Sequence, residues 1–514
     1  MSMALLAANP TTDKADALRR RFAAAKAARL PWESRWQECY ALTLPLAAPA
    51  TGSMRTNQVN SVAMPLYDGT AADAVDQLAA SLLAQLTPPW SRWFAFQPGS
   101  DLDPASAGPA ASLLDDASRR AQAQFDRSNF VVEIHQCFLD LITAGTACLA
   151  VEEAALGEAS ALRFAAVPLL DVVLEEGPAG RLDCVFRRRE LTRAQLLQDF
   201  PNAAALPALN ETRHEATSDD HARRFTLLEC VLPAGNGYDY TALLDGSVDT
   251  AAAILAEGRF ARSPFIAFRW IKAPGESYGR SPVMKALPDI KTANKVVELV
   301  LKNASIAVTG IWQADDDGVL NPANIKLVPG AIIPKAVGSS GLTPLAAPGR
   351  FDISQLVLDD LRARIRHALL ADRLDQVAGP KMSATEVLER SAEMARLLGA
   401  TFGRLQGELL QPLLDRVVEI LQRRGELPGF ALDGREVCIA WQAPLARLQA
   451  QADVQSTLLW LQQVQAMGPA AAGVMDAPAV ARWLGRMLGV PGEFLIEAGE
   501  APASPGLAAI EVAA

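Results

Sequence analysis

The chain has 514 residues, of which 50% are hydrophobic and 21% charged, an ordinary globular balance that excludes a disordered chain and leaves room for several cores. A formal net charge of −10 argues against a sequence-reading nucleic-acid protein, which presents a basic face that displaces counterions from phosphate. Six cysteines (Cys39, Cys137, Cys148, Cys184, Cys230 and Cys438) occur without a C-x-x-C pair and read as reduced, mostly buried thiols in a cytoplasmic assembly, not as a disulfide or metal framework.

Asp13 to about Leu44 reads as a first helix, with Trp32, Trp36 and Tyr40 at i, i+4 and i+8 forming a core stripe. No basic region with a following apolar run marks a signal peptide, and the best candidate membrane span, Phe130–Val151, is interrupted by Glu133, His135, Gln136 and Asp140. After a loose segment at Pro49–Asn60, a second helix is expected over Ala71–Leu86, stopped by Thr87-Pro88-Pro89. Tyr67-Asp68 just before it reads as capping and packing, because nothing nearby completes a catalytic site. Leu113 to about Ala144 is helical with a break near Ser128-Asn129, and Gly145 precedes a strand over Ala147–Val151.

From Leu162 to Trp270 the period changes to that of a β-rich region. Strands are expected at Phe164–Leu174, Arg181–Arg188, Phe225–Leu232, Tyr238–Leu244 and Phe265–Trp270, with one short helix at Arg193–Phe200. The polar segment Asn202–Arg224 holds His214 and His221, but His214-Glu215 lacks the helical spacing of a zinc site.

The stretch Ser277–Pro334 organises the rest. Tyr278-Gly279-Arg280-Ser281-Pro282 is turn chemistry, and Pro288 with Asp289 suits the first turn of a long helix running to about Val308. Lys291, Lys295, Glu298 and Lys302 form a polar stripe roughly 60° wide on it. Most of the remaining circumference is apolar, including Val297, Val300 and Leu301, so the helix needs neighbours on several sides. Gly310 ends it, Asp315-Asp316-Asp317-Gly318 makes a tight acidic turn without calcium-loop spacing, and Ala331–Pro334 looks like a strand.

Beyond the loose Gly341–Gly349, Asp352 and Gln355 have capping-box spacing, and a second helix is expected over Ile353–Leu374 with Leu358, Leu361, Ile365 and Leu369 on one face. Gly379-Pro380 forces a loop within Asp375–Met382. Ser383-Ala384-Thr385-Glu386 then caps the longest periodic segment, to about Arg424 with Gly425 as its stop; if continuous it spans about 60 Å, with a kink at Pro412. A strand over Asp433–Trp441, a helix from Pro444 to about Met467 and a short helix over Ala477–Leu488 precede an Ala/Pro/Gly-rich tail expected to be mobile. The class is therefore α+β, mainly helical. No phosphate loop, nucleophile elbow, H-E-x-x-H or dinucleotide fingerprint occurs, so neither an enzyme nor a bound cofactor or metal is expected.

Several of these stretches resemble the portal, or head-to-tail connector, proteins of short-tailed bacteriophages. The likeness lies in Tyr278–Pro282, in Ala286–Lys291 leading into the long helix, and in Pro329–Pro334. It extends to Pro31–Arg35, Trp90–Phe94, Ser383–Arg390, Leu405–Leu413 and Pro444–Ala446, and so to most of the chain.

The resemblance implies the portal fold: a wing over 1–284 (a helical N-terminal part plus the β-rich 162–270), a first stem helix at 285–310, a small α/β clip at 311–351 and a second stem helix at 352–374. A tunnel loop at 375–382, a long kinked wing helix at 383–425, a helical crown at 426–498 and a mobile tail at 499–514 complete it. It implies a homo-oligomeric ring, in the family usually of twelve subunits, at one capsid vertex of the virion, assembled in the host cytoplasm. Double-stranded DNA would pass through as cargo during packaging and ejection. The implied partners are the major capsid protein, the terminase large subunit, a scaffold protein and a tail adaptor.

On that likeness Val297, Val300 and Leu301 are ring-interface candidates, while Trp312, Asp315, Asp316 and Asp317 are clip or adaptor candidates. Lys291, Lys295 and Lys302 face either the channel or a neighbouring subunit. Arg373 and Lys381 either touch phosphate or are solvated loop charges. The alternative reading is a soluble helical scaffold or adaptor without a DNA channel.

Overall fold

The computed structural model describes residues 10–44, 65–89, 91–99, 101, 104–205, 224–245, 253–309, 312–314, 342–344, 351–371, 399–442, 444–467 and 476–488. Helix α1 (Pro10–Thr43) carries Trp36, Cys39 and Tyr40 inward, as the aromatic spacing requires, with Pro31 inside its span. Helix α2 (Thr70–Leu86) buries Ala71, Ala74, Val75, Leu78, Ala79, Leu82 and Leu86, one continuous helical face. Strand β1 (Phe94–Pro98) follows, then α3 (Pro104–Arg127) and α4 (Phe130–Ala144). The break between these two helices falls at Ser128-Asn129, where the Asn129 side chain accepts from Phe164 N–H (2.9 Å) and donates to Phe164 C=O (2.7 Å). The break is thus fastened to the strand beside it.

Strand β2 (Thr146–Glu153) lies between β3 (Leu162–Val167) and a later strand, β9, in a three-stranded antiparallel sheet. The sequence expectation of one strand over Phe164–Leu174 is corrected here. Pro168 and a 3₁₀ turn at Leu169–Asp171 cut it, and its second half, β4 (Val172–Glu175), joins a different sheet. That sheet is an antiparallel meander of β4, β5 (Cys184–Thr192), β6 (Arg224–Ala234), β7 (Gly237–Asp245) and β8 (Ala253–Phe260). Helix α5 (Arg193–Asp199) opens with a capping box between Thr192 and Gln195. Strand β9 (Phe265–Arg269) then returns to pair with β2.

Helix α6 (Pro282–Thr309) starts six residues before the expected Pro288, which sits inside it. Strands β10 (Trp312–Ala314) and β11 (Leu342–Pro344) pair antiparallel, so the end of α6 and the start of α7 (Phe351–Ala368) lie at the same end of a packed helix pair. Helix α7 stops short of Leu374: the backbone turns at Leu369-Leu370, with Leu370 at φ 59°. Helix α8 (399–423) contains a π turn at Gln406–Leu410 directly before Pro412 and ends at Gly425, φ 74°. Glu426 N–H returns to Leu421 C=O, the hydrogen bond of a Schellman stop. Strand β12 (Val437–Trp441) pairs with β1, and α9 (Pro444–Ala466) and α10 (Ala477–Leu488) close the described chain.

One large core joins these parts. Val75 and Leu78 of α2, Phe138 and Leu141 of α4, Leu149 of β2, Ile290 and Ala293 of α6, Ile365 of α7 and Leu413 and Val417 of α8 belong to a single buried cluster. The base of the α6–α7 pair is therefore rooted in the body. Among the described residues no helix is long and apolar enough to cross a membrane.

Candidate functional site

The turn that launches α6 is fixed from four sides. Gly279 N–H donates to Thr146 Oγ1 (2.8 Å), Arg280 N–H to Ile271 C=O (2.7 Å), and Leu174 N–H to the Tyr278 hydroxyl (3.1 Å). Ser281 Oγ donates to Thr143 C=O (2.9 Å) and accepts from Met284 N–H (2.8 Å), which makes it the N-cap and puts Pro282 at the first helical position. Gly145 (φ 81°) and Gly279 lie so close that a Cβ on the first would sit 2.4 Å from the second's carbonyl oxygen. The Tyr278 ring meets Trp36 edge-on at 5.0 Å.

Beneath that turn lies a buried ion pair. Arg269 is fully buried at the end of β9, and its Nη2 is 2.7 Å from Glu408 Oε1. Its Nε and its backbone N–H both reach Glu408 Oε2 (3.2 and 3.0 Å). Two further donors go to Ser277 C=O (3.1 Å) and Gly180 C=O (2.8 Å), so four of the five guanidinium N–H groups are hydrogen-bonded, and Glu176 lies 3.9 Å from Nη1. Arg404 adds a bond to Glu408 from the same helix (3.0 Å). Glu408 lies in the π turn of α8, so its carboxylate ties α8 to β9 and, through Arg269, to Ser277 just before the turn that begins α6.

A second polar staple holds the helix pair higher up. Asn294, buried on α6, accepts from Tyr67 N–H (2.7 Å) and Asp68 N–H (3.1 Å) and donates to Pro65 C=O (3.3 Å). Asp68 accepts from Thr70 N–H at the start of α2 (3.0 Å) and from Arg362 Nε of α7 (2.9 Å). Burial alone would raise the Asp68 carboxyl, but the bonds from Thr70 and Arg362 outweigh it and hold the group below its usual range. The pair Tyr67-Asp68 is thus capping chemistry, as its sequence context suggests. Asn294 is the polar residue that sequence reasoning passed over, because it sits beside the polar stripe of Lys291, Lys295 and Glu298 and reads as part of it.

The lysine stripe of α6 is exposed and internally paired. Lys295 and Lys302 both reach Glu298 (2.9 and 2.5 Å), and Lys291 reaches Glu38 of α1 (2.8 Å). The hydrogen bonds from Lys302 and Lys295 lower the Glu298 carboxyl, and Glu298 raises Lys302 in return. Val297 and Val300 are half-buried on the side that continues Ile290 and Ala293, while Leu301 stays 52% exposed. Leu299, on the lysine side, is equally exposed. Trp312 lies on β10. Asp315, Asp316, Asp317, Arg373 and Lys381 lie outside the described residues, as do the capping box at Ser383–Glu386 and the strand expected at Ala331–Pro334. Among the described residues no group of three or more His, Cys, Asp or Glu side chains is placed to hold a metal ion.

This is the build of a structural connector: a two-helix arm anchored in a mixed body by buried polar contacts. A family model described as bacteriophage head to tail connecting protein matches residues 15–495, and the chain belongs to that family. It is 23% identical over 476 residues to the portal protein of Enterobacteria phage T3, covering 87% of this chain and 86% of that one. To the portal protein of Salmonella phage epsilon15 it is 25% identical over 452 residues, with 83% and 79% covered. Among solved structures it is similar to a chain of the virion of a native gene transfer agent particle, at 14% identity and TM-score 0.32, with 81% and 90% covered.

Proposed function

We propose that this chain is the portal subunit of a phage particle: it closes into a ring at one capsid vertex, through which double-stranded DNA is packaged and later ejected. The observation that carries the reading is the α6–α7 pair, rooted in the core at one end and tipped at the other by the β10–β11 ribbon. In this reading the pair is the stem, the tip is the clip, the body and α8 form the wing, and the region beyond 426 is the crown.

A ring of identical subunits needs a heterologous contact that closes on itself, and permanent contacts of this kind bury more than about 2,000 Å². Leu299 and Leu301 are among the exposed large apolar side chains of the subunit, and their place on the arm favours such a contact. An acidic chain also suits a conduit, since duplex DNA carries about one charge per 1.7 Å and an acidic wall favours passage over adhesion. Arg373 and Lys381 are the candidates for phosphate contact in the tunnel, and Trp312 with Asp315, Asp316 and Asp317 for the tail adaptor. The capsid protein and the scaffold would meet the wing in the host cytoplasm during assembly, and the terminase would dock on the ring and supply the work of packaging.

Native mass spectrometry with particle images tests the reading. Twelve copies of a 54.8-kDa chain give a ring of about 660 kDa with a central hole. A compact dimer or tetramer without a hole favours the rival reading, a helical scaffold or adaptor.

A further inference from the structure

Two outward faces of the helix pair carry opposite charge around exposed leucines. On α6, Lys295, Leu299 and Lys302 stand at i, i+4 and i+7 on the side away from buried Ile290 and Ala293. On α7, Leu356 is 74% exposed, and Asp359 and Asp360 stand three and four residues on, opposite buried Leu358, Leu361 and Ile365. The charge is only partly spent within the subunit. Lys295 and Lys302 share the one carboxylate of Glu298, which leaves a cation in excess. Asp360 is paired with Arg364 (2.6 Å), but no cation lies against Asp359 among the described residues.

The two faces also sit at matching heights. Asn294 of α6 and Arg362 of α7 both bond Asp68, which sets the two helices level there; toward the tip Lys295 then lies one residue and Asp360 two residues on, and Leu299 five and Leu356 six. Rotation about a ring axis moves every residue sideways at its own height. With the arm along the ring axis, as the stem reading has it, the α6 face of one copy arrives opposite the α7 face of the next.

We propose that Lys295, Leu299 and Lys302 of one subunit dock on Leu356, Asp359 and Asp360 of the following subunit. The leucines supply the buried area and the charges set the direction in which copies add. The proposal rests on the ring reading above and names the surfaces that close the ring. It places Lys295 and Lys302 at a subunit contact, not in the channel wall.

Charge inversion tests it. One variant carries Lys295→Glu, Glu298→Lys and Lys302→Glu; the other carries Asp359→Lys, Asp360→Lys and Arg364→Glu. Each preserves its pairing within the helix with signs reversed. Neither forms rings alone, since like charges then face each other. Mixed one to one they assemble into rings in which the two variants alternate, resolved by native mass spectrometry of isotopically distinct chains. Rings from either variant alone, or no ring from the mixture, overturn the pairing. A wild-type chain that forms no ring overturns the portal reading instead.

Discussion

Glu408 and Arg269 are 139 positions apart, yet the carboxylate of the first takes three of the second's donors, at 2.7, 3.0 and 3.2 Å. With the guanidinium fully buried, removing either partner strands the other. Breaking such a pair costs about 3–5 kcal/mol, whereas exchanging both partners for apolar residues is often close to neutral. Glu408→Leu is expected to lower stability in urea by about 3–5 kcal/mol, and Arg269→Met in the same chain to recover more than half of it. If the double variant is as unstable as the sum of the singles, the two residues are not coupled as the geometry requires.

The contact of Gly145 with Gly279 leaves no room for a side chain on either. A Cβ at Gly279 would lie 2.1 Å from Gly145 C=O, and Gly145 also needs its positive φ. Gly145→Ala and Gly279→Ala are each expected to destabilise by more than about 1 kcal/mol. Gly258→Ala, where nothing lies within 4 Å of the added carbon, is the internal control for space. Unfolding midpoints of the three variants check this ordering.

Asp68 predicts an acid response. Its folded carboxyl lies below the ordinary value of 3.8, so its contribution is present above that pH and is lost as pH falls through the lower, folded value. Wild-type stability should fall more steeply below about pH 4 than that of Asp68→Asn, which lacks the titrating group. Parallel curves from urea titrations between pH 2 and pH 7 would remove Asp68 from the staple.

Leu301 separates folding from assembly. Exposed as it is in one subunit, Leu301→Asp should shift the subunit's stability by no more than about 0.5 kcal/mol while rings disappear. Val297→Asp, at a half-buried position, should cost the subunit more and also block rings. Circular dichroism with native mass spectrometry reads both effects, and normal rings from Leu301→Asp count against the Val297–Leu301 side of α6 as a second subunit contact beside its Lys295–Leu299 face.

The helices were legible because their apolar periods are strong: the break at Ser128-Asn129, the stop at Gly425 and the aromatic stripe of α1 all follow from local chemistry. The start of α6 was not. Pro282 and Pro288 both suit a first turn, and the choice is made by Thr143, which holds the Ser281 cap from 138 residues away. Strand β8 was missed because Ala-Ile-Leu-Ala-Glu-Gly-Arg-Phe is rich in residues depleted from strands and lies at a sheet edge. Strand β1 was missed because, among the described residues, its one partner is β12, more than 300 residues away.

The polar nodes were the least legible part. A buried arginine and a solvated one look alike in sequence, and Glu408 reads as an ordinary surface residue of a long helix. Its position follows from the π turn, which in turn answers Pro412: without an N–H at 412, the preceding carbonyls re-register, and Gln411 N–H returns to Gln406 C=O. Kinks are foreseeable from a proline; which side chain they aim inward is not.

The pairing of β1 with β12 also sets a clock. Phe94 waits for Trp441, and Trp93 for the Trp441 ring that stacks 6.5 Å away. At a synthesis rate of about 5–20 residues per second, the chain between them takes roughly 20 to 70 s to emerge. During that interval the aromatic edge around Trp93 and Phe94 is made but unpaired. The nascent subunit carries that open strand edge until its last described strand emerges to cover it.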